Sequence, residues 1–549
     1  MRVTQPPPVG LADARSVDLA RLADESWDLL IVGGGIVGCG AFLDAASRGL
    51  KVALVEQDDI ASGTSGRSSR LIHGGLRYLE QFHVGLVREA LAERARLIRL
   101  APHLVRLEGF LFPLFGPRVL TRALYTAGMT FYDLLGSARS GGRHHHVGVA
   151  GALEYAPGLR REDLRGAILY HDAMEDDARY TLAVLRTALA HAPGSTVAVT
   201  RVRATGAIHD SGRIAGATLR DGVSGAELTA RAARVLDATG VWNAQPDGAF
   251  GAGDVRVLPS RGSHILIPRE RIPVRGGMTI RIPGRVAFMV PWPRHWVIGT
   301  TDKPFHGPVA RPSASAVEVD ELLGTLNGAF DLGLTRDDIV GTYAGLRPLV
   351  APSDAATTVK ISREHRVSVD ADGLVRVSGG KYTTYRLMAR DAVDSTLGED
   401  ARRRPSATGE LPIIGAAARM DLDALAATLT HDLGADPAGS LVDRHGTEAR
   451  DLLARGAARG MNRPLVDGFP YLESEVAWAV EKERACSLDD ILARRIRLAP
   501  ELRDRGAAVA PRVAAIAGGL LDWDAARQAA EVRAYLEGAH REYDLPTAG

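Results

Sequence analysis

The chain has 549 residues, 46% hydrophobic, 24% charged and 5% aromatic. At about 150 residues per domain this predicts three to four domains and excludes global disorder. Lys+Arg 67 against Asp+Glu 66 gives a net charge of +1, so bulk charge offers no reason to bind nucleic acid.

Residues 1–27 read as a polar tail with a short helix from Ser16 to Glu25. No apolar h-region precedes Trp27, and no stretch reaches about 18 uncharged apolar residues, so neither a signal peptide nor a transmembrane helix is expected. The run Asp28–Val32 predicts a buried strand, Ile36–Arg48 a helix and Lys51–Val55 a second strand, which together make a βαβ unit and imply a parallel sheet. Leu86–Leu100 is helical in pattern, and 140–148 reads as an exposed loop. Short strands follow at Thr196–Arg203, Arg213–Leu219 and Arg234–Gly240, then at His264–Pro268, Trp296–Thr300 and Leu374–Ser378. A helix is expected from about Thr384 to Thr396. Residues 402–418, opening with Arg402, Arg403 and Arg404, have linker composition, and 419–549 is almost wholly helical in pattern. Cys39 and Cys486 are the two cysteines, which excludes a disulfide framework and suits a reduced compartment.

Gly33, Gly35 and Gly38 form a G-x-G-x-x-G run, with Gly34 inside it, between a predicted strand and helix. Glycine there lets the backbone approach a pyrophosphate at the positive end of the helix. Glu56 closes the next strand, where a carboxylate is placed to accept hydrogen bonds from a ribose. The motif does not choose between NAD and FAD. Two later junctions favour FAD: Asp237-Ala238-Thr239-Gly240, and Ser378 to Thr384 with Gly380, Lys381 and Thr383. A bulky flavin draws contacts from distant segments.

At Ser68–Glu80, which contains His73-Gly74-Gly75-Leu76-Arg77-Tyr78, the sequence resembles the FAD-dependent, quinone-linked glycerol-3-phosphate dehydrogenases. Supporting segments are Lys51–Arg70, Asp172–Asp177, Ser260–His264, Ile298–Asp302, Tyr343–Leu349 and Gly379–Arg386, and the resemblance runs from about 28 to 535. It implies an α/β fold: a Rossmann-like FAD-binding domain of the D-amino-acid-oxidase type, interleaved with a mixed β-sheet substrate-capping domain, and an all-helical C-terminal domain. The oxidoreductase region is then 28–401, with the cap at roughly 90–190 and 255–345. FAD would be held by the glycines and Glu56 together with Gln57, Thr64, Ser65, Ser69, His73, Gly74, Gly75, Leu76, Val202, Ala238, Thr239, Gly240, Gly380, Lys381 and Thr383. The implied reaction oxidises sn-glycerol 3-phosphate to dihydroxyacetone phosphate by hydride transfer from C2 to flavin N5, with electrons passed to quinone. A glycerol-3-phosphate oxidase using O2 is the alternative. The N-terminal tail is longer than the bacterial family usually carries, Cys39 sits where a small residue is common, and Gly63–Arg67 varies a loop expected near the pyrophosphate.

Such a dianion needs cations, and arginine binds phosphate oxygens bidentately. By resemblance the substrate residues are Arg77, Arg347, Arg363 and Lys381, with Tyr78 and Thr383 as neutral partners. Arg347 and Lys381 are also assigned to the catalytic set. His264 is the first candidate base, since imidazole accepts a proton near neutral pH. His73 and Lys381 remain open for that role, the lysine because neighbouring arginines lower its pKa.

Other groups have plainer readings. His144, His145 and His146 lack ligand spacing on a rigid element, Asp172, Asp176 and Asp177 suit turns and caps, and no metal is expected. In 117–139, Arg118, Arg122 and Arg139 accompany Leu120, Leu124, Tyr125, Met129, Phe131, Tyr132, Leu134 and Leu135. That mixture suits either a core helix or an interfacial one. The resemblance favours the second: a cytoplasmic protein held peripherally on the anionic inner face of the cell membrane. A homodimer is an open arrangement.

Overall fold

The computed structural model describes residues 11–75, 83–116, 128–136, 142–245, 248–251, 253, 255–282, 285–350 and 365–547. A six-stranded sheet carries the first βαβ unit. Its order is His365–Val369, Val375–Gly379, Val235–Asp237, Leu29–Val32, Val52–Val55 and Thr196–Val199. The pairings are parallel apart from the edge strand His365–Val369. Leu29–Val32 and Val52–Val55 are buried at every position, as expected for strands covered on both faces.

On one face, helix Ile36–Ser47 lies against Asp177–His191 and Tyr385–Leu397. The Gly40 position admits the close approach, because a Cβ there would meet Tyr385 Cδ2 at 2.8 Å. The other face is covered by a four-stranded sheet of Ser26–Trp27, Glu227–Ala232, Arg213–Asp221 and Val202–Asp210. The strand expected over Thr196–Arg203 breaks at Arg201, whose φ is +59°, and restarts at Val202.

The cap is a ten-stranded mixed sheet. Its centre pairs Val257–Pro268 with His295–Gly299 and Gly341–Val350, and Val105–Phe115 with Leu164–Glu175. The expected cap segments divide differently in the structure. Helix Asp177–His191 sends Tyr180, Leu182 and Leu185 into the flavin-domain core, and Val84–Leu100 sends Leu97 there while its Val87 and Leu91 pack on Tyr132. The loop expected at 140–148 contains a strand, His145–Val147, paired with Leu164–Glu175. The tail corrects as well: Leu11–Asp24 is helical, Leu22 is fully buried, and Arg15 pairs with Asp221 at 2.8 Å.

Helices from Arg419–Leu433 to Ala525–Tyr543 build the C-terminal region. They share one apolar core with the cap, in which Phe110, Phe112, Leu266 and Tyr343 meet Val476, Ile491, Leu492 and Val513. Buried ion pairs join the helical region to the flavin domain. Asp59 receives Arg494 and Arg495, each at 2.5 Å; Arg67 reaches Glu542 at 2.7 Å; Arg179 reaches Glu483 at 2.6 Å; Arg497 holds Asp176 at 2.8 Å and also binds Asp177.

Candidate active site

One cleft of about 1050 Å³ runs from the edge of the parallel sheet to the underside of the cap. Gly33, with φ +113°, turns the chain out of its strand so tightly that a Cβ would sit 2.6 Å from the Ala238 carbonyl oxygen. A Cβ on Gly38 would collide with the Gly33 carbonyl, so helix and strand touch through backbone. Helix Ile36–Ser47 begins without a side-chain cap at Gly35, and its Ile36 N–H donates to Ser65 Oγ at 2.9 Å. Glu56 accepts from Gly34 N–H at 2.6 Å and Asp58 N–H at 2.8 Å. Burial nevertheless lifts its carboxyl to about 7 against those two bonds. A carboxyl held there is ready to exchange hydrogen bonds with sugar hydroxyls.

Gly33, Gly35, Glu56, Gln57, Thr64, Ser65, Val202, Ala238, Thr239 and Gly240 line this arm of the cleft. Gly34 and Gly38 act behind it, as donor to Glu56 and as the close helix contact. Thr64 Oγ1 donates to the Leu346 carbonyl at 2.6 Å, tying the arm to the cap. At the inner end stand His73, Gly75, Gly380, Lys381 and Thr383. His73 N–H donates to Thr383 Oγ1 at 3.2 Å. Gly74 turns away, its N–H donating to Tyr132 Oη at 2.9 Å. The cleft's volume of about 1050 Å³, its open helix start and its bare glycine turns fit FAD. A dinucleotide places its diphosphate at such a helix terminus.

Under the cap, His264 is 2% exposed. Its Nε2 is 2.9 Å from Ser69 Oγ, so Ser69 braces the imidazole. The ring stacks on Tyr343, centroids 4.5 Å apart at 14°, and the two residues are register partners in adjacent strands. Burial, then Arg347, then Arg70 hold its pKa well below the ordinary 6.5. Arg347 donates to the Thr301 carbonyl at 3.1 Å and to Thr300 Oγ1 at 3.0 Å, with Asp302 Oδ1 at 3.4 Å. His264, Arg347, Lys381 and Thr383 therefore border one space, while Leu76, Arg77, Tyr78 and Arg363 lie outside the described residues.

Among the lining residues that sequence reasoning did not single out are Arg281, Arg285, Phe288 and Thr300. Arg285 Nη1 donates to the Thr300 carbonyl at 2.5 Å, and Phe288 meets His73 edge-on at 5.6 Å. Arg281, Arg285 and Phe288 lie on the antiparallel strands Gly277–Ile282 and Arg285–Pro291, where strand period leaves the faces of Arg281 and Phe288 to be decided by sheet register. Asp172 receives Arg94 at 2.5 Å, and Asp176 caps helix Asp177–His191. Among the described residues no group of His, Cys, Asp and Glu has the arrangement of a metal site.

A glycine-turned βαβ unit, a cleft of dinucleotide volume and a cap over its inner end define a flavin-dependent oxidoreductase. The model of the FAD-dependent oxidoreductase family matches residues 28–393, and that of the C-terminal domain of alpha-glycerophosphate oxidase matches 406–528. The chain is 44% identical over 528 residues to glycerol-3-phosphate dehydrogenase 2 of Mycobacterium tuberculosis H37Rv, covering 95% of this chain and 89% of that one. It is 34% identical to the mitochondrial glycerol-3-phosphate dehydrogenase of Mus musculus, covering 92% and 72%. The crystal structure of glycerol-3-phosphate dehydrogenase from Bacillus halodurans with FAD superposes with a TM-score of 0.79 at 25% identity, covering 97% and 98%. The chain belongs to the FAD-dependent glycerol-3-phosphate dehydrogenases, and FAD is its cofactor.

Proposed function

We propose that the inner end of the cleft oxidises sn-glycerol 3-phosphate to dihydroxyacetone phosphate, with His264 taking the C2 hydroxyl proton and Arg347 and Lys381 holding the phosphate. The observation that carries this is a buried imidazole, its pKa held below the ordinary value by burial and by Arg347, and a guanidinium bordering one space with the Gly380–Thr383 turn. When bound, FAD supplies the acceptor for the two electrons leaving C2. Arg347 is fixed by the Thr300 hydroxyl and Thr301 carbonyl, so its fork is oriented before substrate arrives and little ordering is required on binding. His264 lies flat against Tyr343 with Ser69 on Nε2, which fixes the ring plane. Thr383 and His73 close the space by their mutual hydrogen bond. Arg77, Tyr78 and Arg363 complete the substrate set in this reading, and Ser69 moves from the flavin to the base.

Quinone is the proposed final acceptor, reached from the inner membrane face. Phe131 and Leu134 support that attachment: they are 41% and 75% exposed on the helical stretch 128–135, while Met129 and Tyr132 on its other side are buried. Among the described residues no helix is long and apolar enough to cross a membrane. O2 as acceptor is the second reading, favoured by the alpha-glycerophosphate oxidase domain matching 406–528. One experiment divides them. Glycerol 3-phosphate should bleach the yellow holoenzyme anaerobically, and a soluble quinone should restore the colour far faster than O2. The reverse order of reoxidation makes the enzyme an oxidase, and failure to bleach removes the substrate assignment.

A further inference from the structure

We propose that Arg70 is a positioning residue for the reaction: a buried cation behind the Tyr343 shelf, seated by the helical region, that keeps His264 able to accept a proton when a dianion occupies the cleft. This rests on the reading of His264 as the base.

The geometry is specific. Arg70 is 2% exposed, and its backbone is left-handed, φ +57°. A bulky residue stays in that conformation only where its surroundings dictate it. Its guanidinium lies 3.7 Å from the centre of the Trp292 ring and 5.7 Å from that of Tyr343. Tyr343 carries His264 stacked on it and donates to the Ser68 carbonyl at 2.8 Å. Ser68, Ser69 and Arg70 are consecutive, so one short segment anchors the shelf, hydrogen-bonds the imidazole and supplies the cation. Trp292 in turn donates through Nε1 to Glu501 of the helical region, which also accepts from Tyr471 at 2.9 Å. The socket therefore spans three parts of the molecule.

Arg70 forms no salt bridge of 4.0 Å or less among the described residues, so its charge is not cancelled at contact. Among the described residues, Asp176, His295, Tyr343 and Glu501 are titratable groups on neighbouring elements that feel it. His264 feels Arg70 and, from the adjacent strand, Arg347. Such an arrangement answers a definite problem. A phosphate dianion placed near imidazole favours its protonated form, which cannot act as a base. Arg347 would be occupied by that phosphate. Arg70, buried against Tyr343 and not among the residues lining the cleft, keeps its field on the imidazole.

The test follows the rate of flavin reduction against pH at saturating glycerol 3-phosphate, by anaerobic stopped flow on FAD-loaded protein. Arg70→Met should move the acid limb upward by about one pH unit, lowering the rate at pH values below it about tenfold. Arg70→Lys should keep the limb near its wild-type position. Glu501→Gln is the control. Burial holds Glu501 up at about 7, so it is already largely uncharged across an acid limb below that pH and its replacement should leave the limb in place. An unmoved limb in Arg70→Met overturns the inference, and so does an equal shift in Glu501→Gln, which would mark general loosening. If Arg70→Met does not retain FAD, Trp292→Leu unseats the same guanidinium and must move the limb in the same direction; an unmoved limb there overturns the inference. His264→Ala separates the two levels. If it keeps the acid limb, the base reading fails; if it alone loses the limb while Arg70→Met matches wild type, only the role of Arg70 fails.

Discussion

In the flavin arm, polar contacts come largely from the main chain: Gly34 N–H on Glu56, Ile36 N–H on Ser65, and glycine turns with no side chain between strand and helix. Along the seam with the helical region they come from side chains. Asp59 takes two arginines, Arg497 takes two aspartates, and Glu501 sits in an aromatic socket with Trp292 and Tyr471. A main-chain cradle distributes its contacts over many donors, so one substitution removes little. A buried charge concentrates them, and losing its partner strands an ion in a poorly solvating interior.

The sharpest break of this contrast is Asp59→Asn. It leaves Arg495 without its carboxylate and Arg494 with Asp489 and Asp490 only. Unfolding in denaturant should show a loss of about 3–5 kcal/mol. A loss under 1 kcal/mol would mean the seam behaves like an exposed ion pair. Next is Glu501→Gln in the apoprotein. Burial raises this carboxyl from 4.5 to about 7, so the folded state binds its proton more tightly than the unfolded chain. That stabilisation is complete below about pH 4.5 and disappears as pH rises through about 7. The Gln variant has no such proton, so relative to wild type it should gain about 3 kcal/mol between pH 4 and pH 8. Equal pH slopes would remove the raised carboxyl. The smallest effect is expected in the cradle: Ser65→Ala leaves Ile36 N–H without its acceptor and should weaken FAD binding by about 1 kcal/mol, roughly fivefold by fluorescence titration. A hundredfold loss would show that the cradle, too, depends on one contact.

The same contrast explains what could be read from the sequence. Gly33, Gly35, Gly38 and Glu56 were legible because the cradle is local: strand, turn, helix and acid follow one another within 28 residues, each with its own chemical signature. His264 and Arg347 were legible only through resemblance, since nothing in either segment alone reveals that Ser260 pairs with Arg347 and His264 with Tyr343 across two strands. Arg70, Trp292 and Glu501 carried no local signal at all. An arginine beside serines and a glutamate in a helical run read as surface residues until tertiary packing buries them. The extent of the cap is hard to read for a related reason. Val84–Leu100 and Asp177–His191 are amphipathic helices, and amphipathicity predicts a buried face without saying against which sheet.

The Arg67–Glu542 pair has a consequence for timing. The residues stand 475 positions apart, yet Arg67 closes the loop whose Ser62 and Gly63 carbonyls it also binds. At about 5–20 residues per second, the ribosome delivers the second partner roughly half a minute to a minute and a half after the first. The glycine turn can form early, but the wall of the cleft that carries Thr64 and Ser65 gains its last brace only when the far helix docks. The wall around Thr64 and Ser65 is therefore complete only after Glu542 has been made.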